Sequence, residues 1–239
     1  MTILSPNHLE ALALLGVEPS LDEPGLNGQI EQATSELARW LGNASTPPAE
    51  EPATDGSGRP HQQKAVIIRS GPLGICYALS SSSSHSSSSS PDVRWLPPVF
   101  GPDEQARVRD VTGGGNAFLG GLCAGLKLEG GDVDRGAFFG SLPPFPQIQS
   151  QSYEREPKLT DPLSPSALPL SKAILYGSVA ASFAIEQSGL PTLSSPFPPP
   201  ASDPTSTNGA QEVWNGSETA LARLERYERL VARLAPQGE

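Results

Sequence analysis

The stretch from Asp110 to Gly121 contains the residues whose types and spacing best support binding chemistry. Three consecutive glycines, Gly113, Gly114 and Gly115, leave a backbone that bends freely and can approach a ligand closely. Apolar residues then recur at three- and four-residue spacing, which predicts a helix directly after the turn. Unpaired N–H groups and the positive end of the helix dipole meet at such a start and bind anions, most often phosphate. Asn116 stands in the first helical turn, where its side chain would face the anion.

Two common phosphate-binding motifs do not match this stretch. A P-loop requires a lysine that is not present here, and the dinucleotide-binding pattern requires a glycine where Phe118 stands. The stretch resembles instead the signature D-T-x-G-A-G-D-x-F of the pfkB, or ribokinase-like, carbohydrate kinases. The matching positions are Asp110, Thr112, Gly113, Gly115, Ala117 and Phe118. Within that family the chain most resembles the fungal maintenance-of-killer branch, which has a G-G-G-N variant.

The resemblance implies ATP-dependent transfer of a phosphoryl group to a sugar hydroxyl, with Mg²⁺ as the accompanying metal. It implies that the nucleotide phosphates lie at Asp110, Thr112, Gly113, Gly114 and Gly115. The catalytic position is Asn116, where the family has an aspartate that is taken to be the general base. An amide cannot accept that proton at any ordinary pH.

Asn7 and Glu10 admit two interpretations. Asn7 can cap a helix with Glu10 as the third helical residue, a capping box that needs no function. The resemblance implies a second role, because the family's N-x-x-E motif helps to organise Mg²⁺ and its waters beside the phosphates. Both interpretations can hold together, since a cap also positions the glutamate.

A second glycine pair follows a short apolar run. Residues 65–68 predict a strand buried on both faces of a parallel sheet, and residues 71–74 predict a turn into the next strand. The resemblance implies that Gly71 and Gly74 lie in a nucleotide-side turn. Arg69 occupies the family's threonine position and either contacts phosphate or faces solvent, the second being favoured.

Composition restricts the partners. The net charge of −10 and pI near 4.8 argue against nucleic acid or an anionic membrane surface. No segment signals secretion or membrane insertion, which predicts a cytoplasmic protein, and the sequons at Asn43 and Asn215 are interpreted as chance. Cys76 and Cys123 both lie in apolar segments and are predicted to be buried thiols.

Besides the helix that opens at Asn7 and a short one at residues 132–139, three longer helices are predicted outside the glycine signature. They cover residues 28–42, residues 171–187 and the C-terminal residues 218–236. The second is apolar nearly all round and should be buried; the resemblance implies that it helps to wall the nucleotide base, and plain packing is an equal alternative. The third is amphipathic, with an apolar face made of Leu221, Leu224, Tyr227, Leu230, Val231 and Leu234.

The predicted fold is α/β, the C-terminal portion of a ribokinase-like three-layer αβα fold with long disordered insertions. A partial nucleotide-binding domain covers 1–191, with disordered stretches at about 44–62, 80–92 and 143–170. A disordered linker at 192–217 precedes the last helix. With 26 prolines and 24 glycines against 36% apolar residues, much of the chain cannot enter a core.

The family's sugar-binding half has no counterpart in this sequence, so three functions stay open. The chain is an ATP-dependent kinase for a sugar acceptor, a nucleotide-binding pseudokinase that acts through a protein partner, or a scaffold that binds no nucleotide. Asn116 favours the second function over the first, and the missing half favours the third. The sequence leaves open whether the chain is an enzyme.

Overall fold

The computed structural model describes residues 1–43, 64–80, 91–128, 168–194 and 213–234. Across these ranges the chain forms four strands and five α-helices, so the predicted α/β class is confirmed. Contacts divide the chain into two compact units, the first ending at Leu96 and the second beginning at Pro97.

The first unit is a small mixed sheet with two helices. Its sheet order is β1-β2-β3-β4, with β1 parallel to β2 and the remaining neighbours antiparallel. The elements are β1 (Thr2–Leu4), α1 (His8–Leu14), α2 (Glu23–Asn43), β2 (Lys64–Arg69), a 3₁₀ turn (Gly71–Leu73), β3 (Ile75–Ser80) and β4 (Val93–Leu96).

Strand β2 is the apolar centre of this unit. Ala65, Val66, Ile67 and Ile68 are fully buried, as their continuous apolar run predicts. Val66 and Ile68 belong to one cluster with buried residues of α1, α2 and β3. The pairing is mixed and not purely parallel as predicted, because the five-residue connection from Ser70 to Gly74 is short enough for a hairpin.

Helix α2 begins at Glu23, five residues before the predicted start at 28. Pro24 and Gly25 argue against a helix when the sequence is read alone. Pro24 stands in the first turn, where its missing N–H costs nothing, and the Asp22 carboxylate accepts from the Gly25 N–H at 3.0 Å. At the other end Lys64 Nζ donates to the carbonyl of Leu41 at 2.9 Å and so satisfies the helix C-terminus.

The second unit consists of helices around a glycine seam. A 3₁₀ segment (Pro102–Arg107) precedes α3 (Gly114–Leu128), α4 (Leu168–Ile185) and α5 (Ala220–Leu234). A β-carbon added at Gly121 would lie 2.6 Å from the Tyr176 carbonyl oxygen, and one at Gly125 would lie 2.7 Å from Ala173 Cα. From the other side, one at Gly177 would lie 2.8 Å from the Phe118 carbonyl oxygen. The backbones of α3 and α4 therefore touch where these glycines meet.

A short ordered turn precedes α5, inside the stretch predicted to be a disordered linker. Leu193 and Trp214 form an isolated bridge. Asn215 adopts a left-handed φ of 53°. Its side chain donates to the Phe183 carbonyl at 2.9 Å and accepts from the Thr192 N–H at 3.0 Å. Residues 192–194 and 213–217 are thus fastened to the end of α4, while 195–212 lie outside the described residues.

Other predicted disordered stretches fall almost wholly outside the described residues. The exceptions are Ser80, which ends β3, residues 91–92, and residues 168–170, which begin α4. The predicted domain limits therefore stay predictions.

Two predictions about side chains are wrong. Cys76 is buried, and burial raises the pKa of its thiol, but Cys123 is exposed. On α5 the predicted apolar face is only partly buried, since Leu221 and Leu234 are exposed. Arg223 occupies the buried face instead. Both differences depend on which side of a helix its neighbours cover, and helical periodicity alone does not determine that.

Candidate functional site

The glycine turn is open and α3 begins at the predicted place. Thr112 and Gly113 are exposed, and Gly113 has a φ of 83°, a left-handed conformation that side chains rarely adopt. A β-carbon added at Gly113 would meet nothing within 4 Å. The backbone conformation, and not lack of room, therefore requires glycine at this position.

Three backbone amides at the start of α3 have no hydrogen-bond acceptor among the described residues. The Gly114 N–H donates to the Val111 carbonyl at 3.2 Å, and the Ala117 N–H donates to the Gly113 carbonyl at 2.9 Å. The N–H groups of Gly113, Gly115 and Asn116 donate to no described residue. Because α3 is 15 residues long, these donors coincide with the positive end of a substantial helix dipole. The geometry can bind an anion.

Asp110 shapes the turn from its N-terminal side. Its carboxylate accepts from the Thr112 N–H at 2.9 Å. Hydrogen bonds from the backbone and side chain of Thr112 hold the pKa of Asp110 below its usual value, so the carboxylate is ionised near neutral pH. Its predicted contact with a phosphate stays a prediction.

The C-terminal end of α4 holds the turn in place. The Ile185 carbonyl accepts from the N–H of Arg109 at 2.8 Å and from the N–H of Asp110 at 3.2 Å. A β-carbon added at Gly114 would lie 2.7 Å from the Ile185 side chain, so the middle glycine is required for space. Glycine is thus favoured at 113 by the backbone conformation and at 114 by the lack of space.

Sequence reasoning missed a cluster of ion pairs beside this anchor. Glu186 follows Ile185 directly, and its carboxylate accepts from Arg107 Nε at 2.8 Å and from Arg223 Nη2 at 2.8 Å. Arg223 Nε also donates to Glu218 at 2.7 Å, and Arg107 Nη1 donates to Glu104 at 2.9 Å. These residues are far apart in the chain, so no local spacing signals the cluster.

The charges in the cluster support one another. Burial alone would favour the neutral form of Glu186, but hydrogen bonds from Arg223 and Arg107 outweigh it and lower its pKa. Desolvation likewise disfavours the charged form of Arg107, but its bonds to Glu186 and Glu104 raise its pKa overall. Glu186 and Arg107 are therefore both charged at neutral pH.

In the first unit Asn7 and Glu10 form a complete capping box. The Glu10 N–H donates to Asn7 Oδ1 at 2.8 Å, and the Asn7 N–H donates to Glu10 Oε2 at 2.8 Å. The capping interpretation is therefore confirmed. The Glu10 side chain is still 59% exposed, so its carboxylate can also contact water.

Arg69 does not face solvent, and that preferred interpretation is wrong. Its side chain is 22% exposed, and Nη2 donates to the Ser5 carbonyl at 3.1 Å. The same nitrogen lies 4.0 Å from Glu10 Oε2. Arg69 is drawn inward because β1 and β2 run parallel, which brings the residues after β1 beside the end of β2.

Gly71 and Gly74 lie in the tight turn after β2. Both have positive φ, 57° and 96°, and the Ser70 N–H donates to the Gly74 carbonyl at 2.8 Å. The predicted site residues therefore fall into two groups. Asn7, Glu10, Gly71 and Gly74 belong to the first unit, and the glycine turn belongs to the second.

Direct metal binding has no ready-made ligand set in the part of the chain that the structure describes. No group of three or more His, Cys, Asp or Glu side chains there could hold a metal ion. Nor does any helix in that part combine the length and apolar character that crossing a membrane requires.

The described residues thus define an α/β protein with an open glycine turn at the start of a helix. Among solved structures, a ribokinase from Giardia lamblia is similar, with 20% sequence identity and a TM-score of 0.39. The similarity covers 79% of this chain but only 39% of that ribokinase chain. No protein-family model and no curated protein matches the sequence.

Proposed function

We propose that this chain binds the phosphates of ATP through the glycine turn, as the nucleotide-binding part of a pfkB-like protein. The observation that carries the proposal is that the amides of Gly113, Gly115 and Asn116 find no acceptor among the described residues and lie in an exposed turn. The resemblance of the stretch beginning at Asp110 to the pfkB signature supports the proposal and is the reason for choosing nucleotide phosphate as the anion. The fungal branch, the three-layer arrangement and the cytoplasmic location stay predictions.

The backbone does most of the binding in this proposal. The amides of Gly113, Gly115 and Asn116 donate to phosphate oxygens, and such hydrogen bonds to charged groups each contribute about 1.5–3 kcal/mol. Residues Asp110 and Thr112 keep the turn in the shape that aims these donors outward. Phosphoryl transfer depends largely on this kind of positioning and charge stabilisation.

Asn116 limits what the bound nucleotide can do. Its exposed side-chain amide can donate a hydrogen bond to a phosphate oxygen, but it cannot take a proton from a sugar hydroxyl. Loss of a general base lowers a rate by about 10²–10⁴-fold. We therefore propose a nucleotide-binding protein with little or no sugar kinase activity, in agreement with the pseudokinase alternative.

Mg²⁺ fits this chain only in an indirect role. Asn7 Oδ1 and Glu10 Oε2 are both used in the capping box, which leaves the second oxygen of the exposed Glu10 carboxylate to hold a metal-bound water. When bound, the metal would supply charge neutralisation for the phosphates. The sugar-binding residues would have to come from outside the described ranges or from a protein partner.

Thermal denaturation of the purified chain with and without ATP–Mg²⁺ tests the proposal. At a ligand concentration of 100 Kd we expect stabilisation of about 2.7 kcal/mol, or roughly 5–10 °C in Tm. Gly113→Ala should reduce the shift, because the left-handed turn is strained with a side chain. Gly120→Ala is the matched control, since Gly120 lies in the helix that follows Gly113 and its β-carbon would also meet nothing within 4 Å. An unchanged Tm for the parent protein would exclude nucleotide binding.

Asn116→Asp then separates a pseudokinase from a kinase. If a sugar site is completed by a partner or by residues outside the described ranges, the aspartate should restore sugar-dependent ADP release by about 10²–10⁴-fold. The assay follows ADP with a panel of sugars. Sugar-dependent turnover by the parent chain itself would contradict the proposed lack of activity.

A further inference from the structure

The carboxylate of Glu186, whose side chain is 11% exposed, connects the last helix of the second unit to the segment that leads into the glycine turn. We infer that Arg223 is a positioning residue for the anion-binding turn, acting through Glu186 and Arg107. The inference rests on the proposed function for its ligand, but its structural part can be tested without any ligand. We call Arg223, Glu186 and Arg107 the clamp.

The clamp uses both oxygens of one carboxylate. Glu186 Oε2 accepts from Arg223 Nη2 at 2.8 Å, and Glu186 Oε1 accepts from Arg107 Nε at 2.8 Å. Arg223 belongs to α5, Glu186 follows the end of α4, and Arg107 ends the 3₁₀ segment before the turn. One side chain thus fixes three elements with respect to one another.

The clamp is adjacent to the bonds that hold the turn. Ile185, next to Glu186, accepts the N–H groups of Arg109 and Asp110. Arg109 lies two residues after Arg107, and Asp110 in turn bonds the Thr112 N–H. If Glu186 moves, the hydrogen bonds of Ile185 and then of Asp110 should change in turn, and the position of Gly113 should change with them.

Arg223 has no freedom to accommodate such a shift. Its side chain is 0% exposed, and its guanidinium carbon lies 3.6 Å from the centroid of the Phe183 ring. It also donates to Glu218 Oε1 at 2.7 Å and to Ser182 Oγ at 3.0 Å. Because a buried charge must keep its partners, this network has one favourable arrangement, and that arrangement sets the place of Glu186.

Hydrogen exchange on the full chain, with Glu186→Gln, tests the inference. The glutamine keeps the shape of the side chain but has one acceptor oxygen and no charge for two arginines. We expect the amides of Arg109 and Asp110 to exchange about tenfold faster, while those of Leu122 and Leu126 in α3 stay protected. The matched control is Glu225→Gln, since its pair with Arg229 is exposed (54% and 61%) and remote from the turn.

The same variants report on binding through the Kd for ATP. We expect ATP binding to be about tenfold weaker in Glu186→Gln and unchanged in Glu225→Gln. Arg223→Lys, which keeps the positive charge, should bind ATP more tightly than Arg223→Met but less tightly than the parent chain. If Glu186→Gln does not fold, Arg107→Lys, which keeps the charge at a partly exposed position, replaces it in both measurements.

The outcomes separate the two proposals. Unchanged exchange at Arg109 and Asp110 overturns the inference whatever the binding result, and so does an equal rise in exchange over all of α3. Faster exchange at the turn with no ATP binding by the parent chain supports the positioning role and overturns the proposed ligand.

Discussion

Helices α1 and α3 begin in opposite ways. At α1 the side chains of Asn7 and Glu10 satisfy each other's backbone N–H groups, so the helix start is closed by its own residues. At α3 no side chain reaches the amides of Gly113, Gly115 and Asn116 from within the described residues. The comparison shows how sequence decides whether a helix start is closed or open: a capping pair uses the backbone donors, and a glycine turn leaves them without an acceptor among the described residues.

The two starts also differ in what holds them. The capping box of α1 is local, whereas the open turn of α3 depends on α4 through Ile185 and through the glycine seam. The comparison therefore predicts that packing changes affect α3 more than capping changes affect α1.

The largest effect is expected at the seam. Gly121→Ala places a β-carbon 2.6 Å from the Tyr176 carbonyl oxygen and 2.7 Å from Ala180 Cβ, and should destabilise the protein by about 1–3 kcal/mol. The adjacent Gly120→Ala has open space and should stabilise it by about 0.4–1 kcal/mol. Chemical denaturation of the two variants measures both effects. Equal effects at 120 and 121 would contradict the close approach of α3 and α4.

Removing the cap of α1 should have a smaller effect. Asn7→Ala takes away the acceptor of the Glu10 N–H and should lower the free energy of unfolding by about 1 kcal/mol. Denaturation with and without ATP–Mg²⁺ then separates the two roles of the motif. A capping role predicts the same loss in both conditions. If the variant also loses the part of the stabilisation by ATP that requires Mg²⁺, Asn7 and Glu10 have the metal role that the resemblance implies.

The smallest effect on stability is expected when acid protonates Glu186, which lies next to the residue that holds the glycine turn, Ile185. The pKa of Glu186 is lowered from an ordinary value of 4.5, so its stabilising contribution is present above pH 4.5 and is lost as pH falls through the lower folded value. The charged groups around it are Arg107 and Glu104 from the 3₁₀ segment and Glu218, Arg223 and Arg226 at α5.

Hydrogen exchange checks this expected loss of stability. The rates of the Arg109 and Asp110 amides are measured from pH 6 downward and corrected for intrinsic exchange. In Glu186→Gln the extra acid dependence should disappear. Its persistence there would assign the effect to another carboxylate of the cluster.

Local signals in the sequence predicted much of this comparison. The cap at Asn7, the start of α3 after Gly113 and the buried run in β2 each depend on neighbouring residues. The pair Glu225–Arg229 was also visible from its spacing, but it is exposed and such pairs contribute little.

The sequence could not predict features that depend on distant partners. Arg69 turns inward because β1 lies beside β2, and Cys123 is exposed because α4 covers the opposite, glycine-lined side of α3. Arg223 looks like a surface residue of an amphipathic helix until Glu186 and Phe183 are placed around it. A buried arginine is paired across the fold, and spacing along the chain carries no information about that pairing.

The turn at Asn215 has a consequence for covalent modification. Asn215, Gly216 and Ser217 spell an N-glycosylation sequon, yet the nitrogen that would carry a glycan donates to the Phe183 carbonyl. A glycan there would replace one of the two hydrogens of this nitrogen and place a bulky group beside the Phe183 carbonyl, next to the bridge at Trp214. In the folded chain this acceptor nitrogen is therefore already committed to a structural hydrogen bond.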